Sequence, residues 1–179
     1  MKGMKSGVLR KRFWLTLGFV AMLTIMAAGQ LFAAALSPAE EDSLLYMREE
    51  EKVARDVYTA LYDKYGLTVF GNIALSEQKH MDAIKILLVR YNLKDPALGP
   101  GVFTDKYLQD MYDALIKKGN LSATDALEVG VEIEVTDIAD LEEGLAIKPL
   151  HKDIQRVYQN LMAGSENHLA AFESVLSNY

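Results

Sequence analysis

The chain has 179 residues, half of them hydrophobic, with a formal net charge of −6 and no cysteine. That length holds one domain with a substantial core, and the missing thiols exclude disulfides, thiolate metal ligands and a cysteine nucleophile. The acidic balance excludes nucleic acid as a partner, because phosphate binding needs clustered Lys and Arg.

Met1 to Arg12 carries five basic residues (Lys2, Lys5, Arg10, Lys11, Arg12) and no acid, and Phe13 to Leu36 carries no charge. With Ala33-Ala34-Ala35 closing the apolar run, residues 1–35 read as a secretory signal peptide, cleaved after Ala35. Residues 36–179 are then an exported domain, periplasmic or extracellular. The alternative is an uncleaved anchor, since the run is long enough to span a bilayer of roughly 30 Å, its basic flank staying in the cytoplasm. Membrane contact would be confined to that segment. Without residues 1–35 the charge falls from −6 to −11.

Ser37-Pro38-Ala39-Glu40 has the pattern of a helix start, with Ser37 as N-cap, Pro38 at the first position and Glu40 completing a capping box. The spacing predicts a helix to about Tyr65, stopped by Gly66. On its wheel Leu44, Met47, Ala54, Tyr58 and Leu61 cluster around Glu51, an acid inside an apolar stripe. Glu50 lies nearer the stripe's edge as second choice, and the run Arg48-Glu49-Glu50-Glu51-Lys52 otherwise reads as a solvated face. A second helix spans Val69 to about Asn92. Glu77 and His80, three residues apart, share its apolar face with Ile73, Ile84, Leu87 and Tyr91.

Asp95-Pro96 and Gly99-Pro100-Gly101 break the chain, and Thr104 is the expected cap of a short helix to Lys118. This insert of about thirty residues is a crossover rather than a tight hairpin. Ser122 caps a third long helix with Asp125 at the capping-box position. Glu134 sits at the centre of its apolar face, and Asp137 lies about 60° away on the same face. A fourth long helix starts near Asp153. On it His168 shares a face with Ile154, Val157, Leu161, Phe172 and Val175, while His151 before it reads as exposed. No strand periodicity competes anywhere, so the fold class is all-α: four long helices and a short one in the crossover.

Each long helix therefore places metal-ligand residue types on its own buried face: Glu51, then Glu77 and His80, then Glu134 and Asp137, then His168. Any one such position is more often a hydrogen-bonded or ion-paired core residue. Six together are not, because neither Arg55, Lys85 nor Lys148 lies at the centre of an apolar stripe to neutralise four acids. Carboxylates and imidazoles without thiolates suit iron or manganese, and bundles of this kind hold two ions with ligands from facing helices. Tyr58 and Tyr91 read as core tyrosines with hydroxyls at the rim. Ser165 and Asn167 stand where they could orient ligands.

The stretches Glu50-Glu51-Lys52-Val53-Ala54-Arg55-Asp56-Val57-Tyr58, Ser76-Glu77-Gln78-Lys79-His80-Met81-Asp82, Gly101-Val102-Phe103, Asp137-Ile138-Ala139-Asp140-Leu141-Glu142 and Gly164-Ser165-Glu166-Asn167-His168 together resemble an uncharacterised ferritin-like domain family of bacteria and archaea, itself similar to rubrerythrin. The resemblance covers Leu44 to Phe172. It implies a ferritin-like four-helix bundle with a di-metal centre and Glu51, Glu77, His80, Glu134 and His168 as ligands. The last helix departs from the rubrerythrin pattern, reading Ser165-x-x-His168 where Glu-x-x-His is expected, and on the wheel Asp137 is the acid placed to replace the missing one. The implied function is a di-iron (or manganese, or mixed-metal) oxidoreductase acting on oxygen or peroxide, with an external electron donor. The alternative is an exported metal-binding or storage module without turnover. A homo-oligomer is compatible with either.

Overall fold

Residues 35–179 are described by a computed structural model. The leader or anchor expected over residues 1–35 lies, but for Ala35, outside the described residues. Five helices follow one another: α1 (Pro38–Tyr65), α2 (Thr68–Arg90), α3 (Lys106–Gly119), α4 (Ala123–Ala146) and α5 (Lys152–Leu176). Among the described residues there is no strand, and no helix is long and apolar enough to cross a membrane. The all-α expectation holds, as do the four long helices and the short one between the second and third of them.

Local chemistry sets the boundaries. Ser37 caps α1 through a complete capping box with Glu40, and Gly66 ends it in the left-handed conformation at φ 67° that a Cβ would strain. Ser122 caps α4 by accepting from Asp125 N. The cap of α3 is Asp105, one residue later than expected, accepting from Tyr107 N and Leu108 N. Thr104 is otherwise engaged, since its N–H and its hydroxyl both donate to Glu49.

The long helices pair α1 against α2 and α4 against α5, with α1 also meeting α4 and α2 meeting α5; α3 lies on α1 and α4. Two apolar clusters result. One gathers Val57, Tyr58, Leu61, Phe70, Leu127 and Phe172; the other gathers Leu44, Met47, Ile84, Leu87, Leu141 and Leu161. Along each long helix these clusters flank the same interval, which holds Glu51, Glu77 and His80, Glu134 and Asp137, and Ser165 and His168. A buried polar layer is sealed on both sides by hydrocarbon.

The run Arg48–Lys52 is not a solvated face. All five residues are buried: Glu50 and Glu51 face the interior, and the segment before α3 covers the other side of α1 and bonds Arg48, Glu49 and Lys52. Arg48 makes a two-pronged bond to Asp95 at 2.9 Å. Glu49 accepts from Thr104 and from Asp105 N. Lys52 donates to Asp56 at 2.7 Å and to the carbonyl of Val102, with its ammonium over the Phe103 ring. His151 is likewise not exposed: half-buried, it bonds Glu40 through Nδ1 at 2.7 Å and clamps the start of α5 to the start of α1.

Lys52 is wholly buried, so Lys52→Met should destabilise the protein by about 3 kcal/mol, the usual cost of stripping one partner from a buried ion pair. Denaturant unfolding measures it. A loss of under about 0.5 kcal/mol would mean that Arg55 and Gly101 N alone satisfy Asp56.

Candidate metal centre

The wheel positions become one cluster. Glu77 stands at its centre: Oε2 lies 2.8 Å from His80 Nδ1 and Oε1 lies 2.8 Å from His168 Nδ1. Glu51 joins the His80 side at 3.1 Å and Glu134 the His168 side at 3.5 Å. The ligand atoms thus fall into two groups, Glu51–Glu77–His80 and Glu77–Glu134–His168, and within each they lie no more than 4.8 Å apart. The two imidazoles stack, with ring centres 5.4 Å apart. Asp137 belongs to neither group. It is buried beside them and accepts from the hydroxyl of Ser165.

Neighbouring residues fix these side chains. Tyr58 donates to Glu134 Oε1 at 2.7 Å, so its hydroxyl points into the site rather than to the rim. Ser165 orients Asp137, while Asn167 is exposed and bonds only the carbonyl of Ala163. Tyr91 lies elsewhere, bonding Asp153 and meeting His151 edge-on. Gly164 leaves room for the His80 ring: a Cβ there would sit 2.6 Å from His80 Nε2. Gly130 does the same for Phe172, the hydrocarbon floor of the site.

Five carboxyl groups, Glu50, Glu51, Glu77, Glu134 and Asp137, are buried here, and among the described residues no Lys or Arg pairs with any of them. Burial and mutual repulsion push Glu50 and Glu51 well above the usual carboxylate range. Burial lifts Glu134 to about 7 and Asp137 to about 6. Burial would raise Glu77 too, but its two imidazoles hold it down to about 2. In return, and against the burial that opposes its charge, His168 rises to about 9 beside Glu134 and Glu77; His80 is raised as well. Burial and the Glu134 charge keep the Tyr58 phenol protonated and able to donate.

Protons alone leave this cluster poorly satisfied. Glu50 Oε2, Glu51 Oε1, Glu77 Oε1, Asp137 Oδ1 and His168 Nδ1 are buried without a hydrogen-bond partner. His168 Nδ1 and Glu77 Oε1 are close at 2.8 Å yet misaligned for a hydrogen bond. Ligands about 2.1 Å from one shared ion and at right angles around it would stand about 3 Å apart, with their lone pairs aimed at the ion instead of each other. Both the donor types and the spacing fit a metal ion. The sequence wheel missed the depth of Glu50, which is as buried as its neighbours. Its signal was faint because its cover comes from α3 and α4, whose placement over this edge of α1 no helical period of α1 encodes.

Fold and site together define an all-helical protein whose buried glutamates and histidines could hold a metal ion. The chain belongs to the family described as uncharacterized protein domain DUF2202, whose model matches residues 40–178. It is 51% identical over 146 residues to the uncharacterized protein MJ0754 of Methanocaldococcus jannaschii, covering 80% of this chain and 78% of that protein. The crystal structure of MJ0754 superposes with a TM-score of 0.80 at 50% identity, over 82% of this chain and 85% of that one. A DUF305 fragment from Deinococcus radiodurans shares the fold at a TM-score of 0.62 and 14% identity, over 81% of this chain and 99% of the fragment.

Two outcomes are expected. Ion binding must displace protons from Glu134 and His168, which in the ion-free protein hold them up to about 7 and 9. Apparent affinity for Mn²⁺ should therefore rise about tenfold or more from about pH 5 to pH 8, with protons released on binding. Titration calorimetry in two buffers of different ionisation heat reads both; a pH-independent affinity would contradict these protonation states. Separately, Gly164→Ala should push the His80 ring aside and weaken metal affinity about tenfold while the helices stay formed. Unchanged affinity would show that His80 tolerates the added methyl.

Proposed function

We propose that the protein is an exported, ferritin-like four-helix-bundle protein with a di-metal carboxylate centre, iron being the resident metal, that reacts with oxygen or peroxide. Glu77 carries the reading: a single carboxylate presents one oxygen to each of two imidazoles, as a bridge between two ions requires. Glu51 and His80 would complete one side, Glu134 and His168 the other, with Asp137 in reserve beside them. A pair of irons held this way would supply electrons to an oxygen–oxygen bond.

The protein's own groups set the conditions for that chemistry. Tyr58 holds Glu134 in one orientation through its phenol, and Ser165 does the same for Asp137. Apolar residues of both clusters exclude bulk water, which strengthens each ligand's electrostatic hold. Electrons must come from outside, because the chain has no cysteine for an iron–sulfur relay.

A second reading, metal holding without turnover, is favoured by Ser165. This hydroxyl stands where the resemblance expects a carboxylate, so the second ion would have one anionic ligand fewer unless Asp137 moves onto it.

The chain purified under anaerobic Fe²⁺ should bind two irons and develop a near-ultraviolet oxo-bridge band on adding peroxide. Glu77→Gln should lose most of the iron and the band, and should also unfold more easily without metal, since it strips two buried imidazoles of their shared counter-charge. Iron without a peroxide response would select the holding reading. No iron in the wild type, and equal melting of wild type and Glu77→Gln with or without metal, would overturn both.

A further inference from the structure

We infer that a cleft between α1, α3 and α4 is the port by which divalent cations reach the buried cluster, with a transit site for the cation at its inner end formed by Glu50 and Asp137. The inference rests on the metal-centre reading above and adds to it a place and a residue, Glu50, outside the two ligand groups.

Three helical rows make the cleft. Glu50, Val53 and Ala54 come from one face of α1, Met111 and Leu115 from one face of α3, and Glu132, Ile133, Thr136 and Asp137 from α4. Spacings of three and four residues align each row along its helix. They enclose a cavity of about 30 Å³, enough for about one water or one partly dehydrated ion. Its middle is hydrocarbon. Its two ends are not. Glu132 is exposed at the mouth, where it bonds Lys118 at 2.9 Å. Glu50 and Asp137 are both buried at the inner end, within hydrogen-bonding reach of one another.

The inner pair selects the traveller. Glu50 Oε2 and Asp137 Oδ1 are buried and have no donor partner. Two facing carboxyl groups repel an anion, whereas a divalent cation that displaces their protons satisfies both oxygens at once. The onward step is short. Glu51 follows Glu50 in the chain, and Asp137 is held by Ser165 on the same helix that carries His168. An ion at the Glu50–Asp137 pair has therefore left the solvent without yet touching an imidazole.

The test is the rate at which the metal-free full chain takes up Co²⁺, followed by its visible absorption in stopped flow at low ionic strength. Glu132→Lys should slow loading about threefold or more, and Lys118→Glu should speed it by a similar factor, since charge at a narrow mouth changes local cation concentration. Both changes should fade in about 0.5 M salt, where the screening length is a few ångströms. Glu50→Gln should slow loading about tenfold or more, and the plateau reached by the two surface variants should equal that of the wild type. If wild type loads and all three variants load at its rate, the port is wrong and the metal centre stands. If wild type takes up no Co²⁺, the metal centre itself fails, and the port with it.

Discussion

Five carboxyl groups packed around two imidazoles, inside hydrocarbon and with no Lys or Arg of the described residues among them, form the constraint on which the structure turns. Uncompensated, such a cluster would cost several kcal/mol per charge. Protonation relieves part of this, and the upward shifts of Glu50, Glu51, Glu134 and Asp137 record how far the protein must lean on protons when nothing else is present. It does not relieve all of it, because several buried oxygens still lack any partner. A bound cation could satisfy these oxygens together.

That omission is specific. One helical turn away on α1 the same chain buries Arg48 against Asp95 and Lys52 against Asp56, with backbone donors closing the set. Glu49 is buried too, and three donors from the segment before α3 satisfy it. So the fold has both the means and the cations to satisfy buried acids, and it does so everywhere along this stretch except toward the centre. The loop that neutralises the outer side of α1 also shapes one wall of the molecule next to α3, and packing of α3 against α1 and α4 then leaves the acidic cleft at Glu50.

Much of this was legible in the sequence, for a reason that also marks the limit. Helical periodicity puts residues of one face together, and the six positions it singled out, Glu51, Glu77, His80, Glu134, Asp137 and His168, all lie in one buried layer. Capping chemistry placed the ends of α1 and α4 at Ser37, Gly66 and Ser122. What periodicity does not encode is the other side of a helix once a loop lies on it. Arg48 to Lys52 looked solvated because five consecutive residues cannot all face one core, yet they can be buried between a core and a covering segment. His151 was missed likewise, its partner Glu40 lying over a hundred residues away. Tyr58 was placed on the right face, but the direction of its hydroxyl depends on Glu134 across the interface, which a wheel of α1 alone does not contain.

Ser165 joins α5 to α4 inside the polar layer. A serine mid-helix usually bonds back to the carbonyl four residues earlier, and Ser165 does reach Leu161 O. It also donates to Asp137, so the hydroxyl does for α4 what a glutamate on α5 would do by itself: it sets an anionic oxygen beside the imidazole layer. The geometry is not equivalent, however. An aspartate on α4 is one methylene shorter, is held from the α5 side, and faces Glu50 rather than His168. The negative charge of the centre is thereby displaced toward the cleft under α3. The resulting asymmetry, two imidazoles on one side of the polar layer and the Glu50–Asp137 pair on the other, gives the cluster a direction that a symmetric arrangement of Glu-x-x-His pairs would lack.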